Sequence, residues 1–492
     1  MTVADIGPHR HPVDVNLPTR DPSDSLWRHD RRALTLGLVL TITLVGFEAL
    51  AISTVMPIAA AELGGLELYG WVFTAFMLGS LVGIVMVGAA IDRGGLAAPF
   101  AAGLGLFAIG LLAGGLAPAM PILVVARFVQ GLGAGTIQPI AYVAIGRSLP
   151  DKVRPRMFAT LSTAWILPGV IGPAIAGAVG ESIGWRFVFL GLLPLIGLSG
   201  AVTLRALRAV VIPPGIDEHA AAVASRARLP LAIAVALGAG LLTLGLTSGQ
   251  PIAVAVLGAV GIVLGTYALR GLTPPGTLLA KPVLPAAILL RGIMTCAFFS
   301  IDAFVALTIV DWRGQSATAA GLALTAATIS WTAGSWVQAR GAHRWPTYRF
   351  VRVGFAVVSI GLAGMLLVLV PDVPWEFAIV AFGVAGFGMG LGYSPLALIT
   401  LREASPATQG AATSSLSLTD SLGTALGTGF TGAMVAASVR SSGNADAGLA
   451  AGFAVGVGIA LFGLLLTARL RPRETEAAAP RPVPRDAAVV DG

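Results

Sequence analysis

About fourteen apolar stretches, each long enough to cross a bilayer, follow one another along the chain, and the loops between them alternate between basic and nearly charge-free. A sequence built this way has few folds open to it. In hydrocarbon every backbone donor and acceptor must be satisfied internally, and stretches of this length do so as helices. The expected class is an all-α polytopic membrane protein. Composition agrees, since 56% of the 492 residues are hydrophobic and 11% are charged, with a mean hydropathy of +0.86. No soluble domain hides that much apolar surface. The 63 glycines suit helices whose backbones approach closely in lipid.

The spans read approximately as 33–59, 69–88, 100–117, 122–145, 158–179 and 187–204, then 229–246 and 252–269, then 285–310, 319–337, 351–370, 377–401, 411–435 and 449–468. An even count puts both termini on one side. Basic residues near span ends stay cytoplasmic, and they crowd the even-numbered gaps: Arg93, then Arg147, Lys152, Arg154 and Arg156, then Arg205, Arg208, Arg226 and Arg228, then Arg340, Arg344, Arg349 and Arg352. Both termini are therefore expected in the cytoplasm of a cell membrane protein, with Arg186, Arg313 and Arg440 as outward exceptions. Residues 1–32 and 469–492, mixed or rich in proline and alanine, read as disordered cytoplasmic tails. The first apolar run is too long for a signal-peptide core, so span 1 is expected to direct insertion itself. Trp71, Trp185 and Trp375 fall at outer span ends, where interfacial anchoring is expected.

Net charge of +7 does not point to nucleic acid, because the positive residues sit in particular loops. Cys296, the only cysteine, excludes an intramolecular disulfide. The sequence carries neither a P-loop nor the His-Glu-x-x-His zinc pattern, and all five histidines lie in tails or loops, so neither an enzyme nor a cofactor is expected.

Ionisable residues inside spans cost at least about 2.5 to 3.5 kcal/mol each, so each is a candidate site. Glu48 lies about 22 Å along span 1 from its cytoplasmic end, Asp302 is similarly deep in span 9, and Asp420 is near the middle of span 13. Spans 1 and 9 hold equivalent places in two halves, which aims Glu48 and Asp302 at a shared central cavity. Alternatively, Asp302 pairs with Arg291, about 16 Å away along its own helix. Arg127 in span 4 is a further candidate, acting at the site or pairing structurally with Glu48. Gln130, Gln138 and Trp165 are candidate cavity-lining residues. With no histidine inside a span, intramembrane proton traffic falls to carboxylates.

A faint internal repeat matches Gly88-Ala-Ala-Ile-Asp92-Arg93-Gly94-Gly95 after span 2 with Gly334-Ser-Trp-Val-Gln338-Ala339-Arg340-Gly341 after span 10. Two six-span bundles, 33–204 and 285–468, separated by linkers with two extra spans over 205–284, would explain it.

These residues resemble the major facilitator superfamily, and within it the fourteen-span drug:proton antiporter branch. The loop motif is present as Gly88, Asp92, Arg93 and Gly95, with Leu96 and Ala97 where the family has further basic residues. Asp92 and Arg93 read as a conformational latch. Span 4 carries the family's pattern as Arg127, Gln130, Gly131, Gly133 and Gly135, and span 5 its antiporter motif as Gly169, Gly172, Pro173 and Gly177. Span 1 is similar to the branch motif, with Glu48 where the family usually has aspartate. The resemblance implies a proton-coupled exporter of lipophilic, cationic drug-like molecules, working as a monomer by alternating access. Moving one charge down 100 mV yields about 2.3 kcal/mol, or roughly a fiftyfold concentration ratio. Two other readings remain open: an exporter of a particular lipid, sugar or self-made antibiotic, and an uncoupled facilitator or membrane receptor.

Overall fold

The computed structural model describes residues 26–29, 31–91, 95–150, 152–210, 218–342, 344–405 and 408–471. Its helices are α1 (Arg32–Leu63), α2 (Tyr69–Ile91), α3 (Ala97–Gly115), α4 (Met120–Ser148), α5 (Arg154–Thr163), α6 (Ile166–Val179), α7 (Arg186–Leu190), α8 (Leu192–Arg208), α9 (Glu218–Ser248), α10 (Pro251–Leu272), α11 (Leu284–Leu307), α12 (Ala317–Gly341), α13 (Thr347–Val368), α14 (Phe377–Glu403), α15 (Gln409–Ser442) and α16 (Asp446–Leu466). All fourteen expected spans are there, two of them as broken pairs. Thirteen segments among the described residues are long and apolar enough to cross a membrane. The span outside that set is α12, which dilutes its apolar residues with Thr325, Thr328, Ser330, Thr332, Ser335 and Gln338. Most of the two expected tails lies outside the described residues, but Leu26 is buried against the start of α1.

Span 5, expected as one helix, breaks between α5 and α6 because Pro168 has no N–H for the Ala164 carbonyl and its ring crowds that carbonyl. The freed carbonyl accepts from the Thr43 hydroxyl of α1 at 3.2 Å. Span 6 breaks between Leu190 and Leu192 with Pro194 in the same relation to Leu190.

The packing repeats across the two halves. In the first, α2 and α3 pack on α4, α1 on α6 and α8, and α3 on α8. Eight spans later, α12 and α13 pack on α14, α11 on α15 and α16, and α13 on α16. Two six-helix bundles of one topology result, with α9 and α10 packed on each other as an inserted hairpin. Between bundles the contacts are reciprocal, α2 against α15 and α6 against α12.

Glycine sets how closely these helices approach. A Cβ on Gly131 of α4 would stand 2.0 Å from the Phe76 carbonyl of α2, and one on Gly70 would stand 2.5 Å from the Gly432 Cα across the bundle interface.

The start of α11 and the end of α16 meet at one face, where the Val283 N–H donates to the Arg469 carbonyl at 3.0 Å; the start of α1, eight spans before that of α11, lies on the same face, which we call the termini end. At the opposite, far end the three exceptional arginines are each consumed locally. Arg186 pairs with Glu62 and lies 4.5 Å over the Trp185 ring, Arg313 donates to the carbonyls of Val370, Pro371 and Val373 at the end of α13, and Arg440 donates to the Thr247 carbonyl at 2.7 Å. Trp185 departs from its expected place at the lipid interface. It is 1% exposed, its ring packed into the bundle while the indole N–H donates at 2.8 Å to the exposed Glu62 carboxylate.

Gly131→Ala should lower the melting temperature of the detergent-purified protein, its methyl having no room against the α2 backbone, at a cost of about 1–3 kcal/mol. Gly458→Ala, whose methyl meets nothing within 4 Å, should leave the protein as stable or up to about 1 kcal/mol more so. Equal melting temperatures for the two would sink this account of the packing.

Candidate functional site

In the first bundle α1 and α4 bring Glu48 and Arg127 together. Glu48 is 0% and Arg127 3% exposed, and the guanidinium Nη1 donates to Glu48 Oε1. The same nitrogen donates to Gln130 Oε1 at 2.7 Å, and Nε donates to the Val72 carbonyl of α2 at 3.3 Å. The guanidinium also lies 4.2 Å over the Phe76 ring. Three helices are thus registered by one arginine. Glu48 Oε2 and Gln130 Nε2 are buried and make no hydrogen bond among the described residues. Glu48, expected to face a shared cavity, is enclosed instead, because its counter-charge lies within its own bundle. Gln130, expected to line the cavity, is fully buried for the same reason.

In the second bundle the carboxylate with a partner is Asp420. Arg291 Nε of α11 donates to Asp420 Oδ1 of α15 at 2.7 Å, Arg291 Nη1 donates to the Tyr393 carbonyl of α14 at 2.7 Å, and the Tyr393 hydroxyl donates to Asp420 Oδ2 at 3.1 Å. The guanidinium stacks on the Tyr393 ring. From there an aromatic wall runs through Trp331 at 5.2 Å to Phe298 at 5.7 Å and Phe382 at 5.1 Å. Asp420 keeps 27% exposure, beside the exposed Thr413, Ser414 and Ser417. Arg291, Tyr393 and Trp331 were not singled out as site residues in the sequence. An arginine seven residues into a span was a readable signal for the first.

Asp302 takes no part in either pair. The alternative pairing with Arg291 is not formed, since Arg291 turns to Asp420 across a helix contact. Half-buried, Asp302 makes no ion pair or hydrogen bond among the described residues. Its eleven-residue offset from Arg291 is close to three helical turns, so both lie on one face of α11, with Asp302 nearer the far end. Along their helices Glu48 and Asp302 lie about 24 and 27 Å from the termini end, Arg291 about 10 Å and Asp420 about 16 Å.

Gln138 is exposed and donates to the Tyr142 hydroxyl at 2.7 Å. Trp165 stands at the break in span 5, 41% exposed, with its ring over Gly46 of α1. The span-5 motif forms interface: Gly169 faces Thr328, Pro173 faces Gly321 and Gly177 faces Thr318, all on α12, while Gly172 faces Phe47 of α1. Asp92 and Arg93 lie outside the described residues. Gly88 falls within α2, and Gly95 has nothing near its Cα that a side chain would meet.

The hydrogen bonds described between the bundles run from mid-depth to the far end. Thr74 joins the Thr428 hydroxyl at 2.9 Å and the Ala425 carbonyl at 3.3 Å, Thr325 donates to the Val170 carbonyl at 3.4 Å, and the N–H and hydroxyl of Thr318 both donate to Glu181 at 3.0 Å. Tyr69 closes this end, packed against Phe304 of the other bundle at 5.4 Å. Toward the termini end α5 leaves α12 and packs on α1, α4 and α6. An apolar groove of about 510 Å³ between α12 and α14, lined by Ile329, Val380 and Phe387, stands apart from both polar clusters.

Glu48→Gln leaves a buried guanidinium without counter-charge and should cost about 3–5 kcal/mol in thermal unfolding. Adding Arg127→Met should return most of it, and a double variant no more stable than Glu48→Gln would contradict the charge account.

The family model of the Major Facilitator Superfamily matches residues 38–428. Multidrug resistance protein 3 of Bacillus subtilis is 26% identical over 400 residues, covering 79% of this chain and 77% of that one. The methylenomycin A resistance protein of Streptomyces coelicolor is 26% identical over 408 residues, covering 80% and 84%. Among solved structures, a POT family transporter in complex with 5-aminolevulinic acid superposes with a TM-score of 0.65 at 16% identity, covering 92% of this chain and 99% of that one. A D-xylose-proton symporter gives 0.61 at 14% identity, covering 90% and 98%. With its two six-helix bundles, reciprocal interface and family match over most of its length, the chain belongs to the major facilitator superfamily of membrane transporters.

Proposed function

We propose that the protein is a proton-coupled exporter of lipophilic cationic small molecules, resident in the cell membrane as a monomer with both termini cytoplasmic. The bundles 33–204 and 285–468 rock about the interface of α2 with α15 and α6 with α12. The observation that carries this reading is the charge arrangement: each bundle neutralises one intramembrane carboxylate with its own arginine, and Asp302, on the face of α11 shared with Arg291, has no partner among the described residues. An unpaired carboxylate in a membrane cavity can hold a proton or a cationic substrate, but not both at once, and that competition is antiport. Arg291, Tyr393 and Trp331 supply the wall that orients substrate beside Asp420. Glu48 and Arg127 hold the first bundle in register, while Gln138 and Trp165 face the opening. The basic loops Arg205, Arg208, Arg340, Arg344 and Arg349 favour a cytoplasmic termini end, and the far-end contacts then describe an inward-facing state. Multidrug resistance protein 3 of Bacillus subtilis, matched over most of its length, supports drug efflux.

A second reading draws on the likeness to the methylenomycin A resistance protein: export of one self-made antibiotic or other metabolite.

Purified protein in liposomes holding a pH-sensitive dye, given a panel of lipophilic cations, separates the two. Proton release that depends on substrate and is lost in Asp302→Asn and Glu48→Gln is expected. Silence of folded wild-type protein across the panel would favour the dedicated exporter, and full activity of Asp302→Asn would overturn its role.

A further inference from the structure

The α9–α10 hairpin has no part in either polar cluster, yet it lies across one of the two seams along which the bundles must move. Its helices are zipped together by glycine, a Cβ on Gly261 standing 2.5 Å from the Gly238 carbonyl, so the hairpin is a unit. The outer helix α10 is the most exposed of the spans. The inner helix α9 packs on α2 of the first bundle and on α15 of the second, and one apolar cluster joins Leu78, Leu81 and Val82 with Val235, Ala239, Leu418 and Ala425.

The two contacts differ in kind. Toward the second bundle the hairpin is pinned at both ends by directional bonds. Arg440 donates to the Thr247 carbonyl at 2.7 Å at the far end, and the Ser415 hydroxyl donates to the Leu272 carbonyl at 2.9 Å at the termini end. Midway, Gly429 admits the Thr243 side chain, 2.7 Å from where its Cβ would be. The connection onward to α11 is itself folded, with Thr273 and Thr277 bonding back to Leu269 and Pro274 at 2.8 and 2.7 Å. Toward α2 the contact is at least as broad and, among the described residues, apolar save one 3.3 Å bond from the Trp71 indole to the Thr247 hydroxyl. Apolar surfaces have no fixed register and slide at little cost, whereas directional bonds at the two ends of a rod hold it.

We propose that the α9–α10 hairpin travels with the second bundle while α2 slides along α9, keeping the α2·α15 seam covered from lipid throughout the transport cycle. Among the described residues no such hairpin covers the α6·α12 seam, so a lipophilic substrate arriving from the bilayer reaches the cavity on that side.

This rests on the exporter reading, and locking tests it in a Cys296→Ala background. Thr243→Cys with Gly429→Cys ties α9 to α15; a Cβ at 429 would lie 3.5 Å from that of Thr243, within disulfide range. Gly240→Cys with Leu78→Cys, closed by a short bis-methanethiosulfonate that forms a disulfide with each cysteine and releases sulfinate, ties α9 to α2, the added Cβ lying 3.5 Å from Leu78 Cδ1. Lipophilic-cation transport should survive the first lock and be lost in the second. Loss in the first, or survival in the second, overturns the proposal. If the unlocked pairs themselves carry no lipophilic cation, the exporter reading fails alone, and spin labels on Val263→Cys, Leu465→Cys and Leu198→Cys, taken pairwise, then decide the attachment. A sharp distance from hairpin to Leu465 with a spread one to Leu198 supports it, and the reverse overturns it.

Discussion

An ionised group held in hydrocarbon must meet its counter-charge inside the protein, and the Glu48–Arg127 pair meets this need across α1 and α4. The remaining donors of Arg127 reach Gln130 and the Val72 carbonyl, so α2 is drawn into the same network. Arg291 does the equivalent work for α11, α14 and α15 through Asp420 and Tyr393. Both described intramembrane ion pairs therefore lie within a bundle. Neither crosses the surface along which the bundles would part, and each bundle carries its charge balance with it when it moves.

What does cross that surface is inexpensive to separate. Its glycine contacts are backbone on backbone, its threonine hydroxyls on carbonyls are neutral hydrogen bonds worth about 1 kcal/mol apiece, and the Glu181–Thr318 bonds lie at the exposed far end, where water can replace them. The reciprocity of α2 on α15 and α6 on α12 lets both seams open together about one axis. Small residues matter here for a second reason: Gly169 admits only the small Thr328 side chain and Gly177 meets the Thr318 backbone, so at these two positions no large side chain has to withdraw when α6 and α12 separate.

Much of this was legible in the sequence because the bilayer imposes length, polarity and handedness of charge on each span separately. The fourteen spans and the two-bundle class followed from local pattern or from resemblance. The breaks at Pro168 and Pro194 carried a local signal too, the missing N–H, although apolarity alone ran straight through them. Of the pairings, Glu48 with Arg127 stood among the sequence's own alternatives, whereas the pairing in the second bundle was not legible. Arg291 and Asp420 are 129 residues apart, and nothing in either span's hydropathy distinguishes that partnership from one between Arg291 and Asp302. Trp185 was misplaced for a related reason, since its position at a span end said nothing of Glu62 standing opposite its indole.

Asp302 is where the charge balance stays open. With Glu48 and Asp420 each matched, it is the described carboxylate deep in a span that neither pair compensates, and it lies toward the end where Tyr69 and Phe304 close the bundles together. Carrying a bare charge into a cavity shut at both ends costs at least about 2.5 kcal/mol, whereas a cavity open to water, a bound proton or a cationic substrate removes that cost. On the exporter reading the bundles can therefore rock only when Asp302 is neutralised by one of the two ligands. The stoichiometric exchange of proton for substrate then needs no latch between the two ion pairs, since the restriction lies in which states the closed, dry intermediate tolerates.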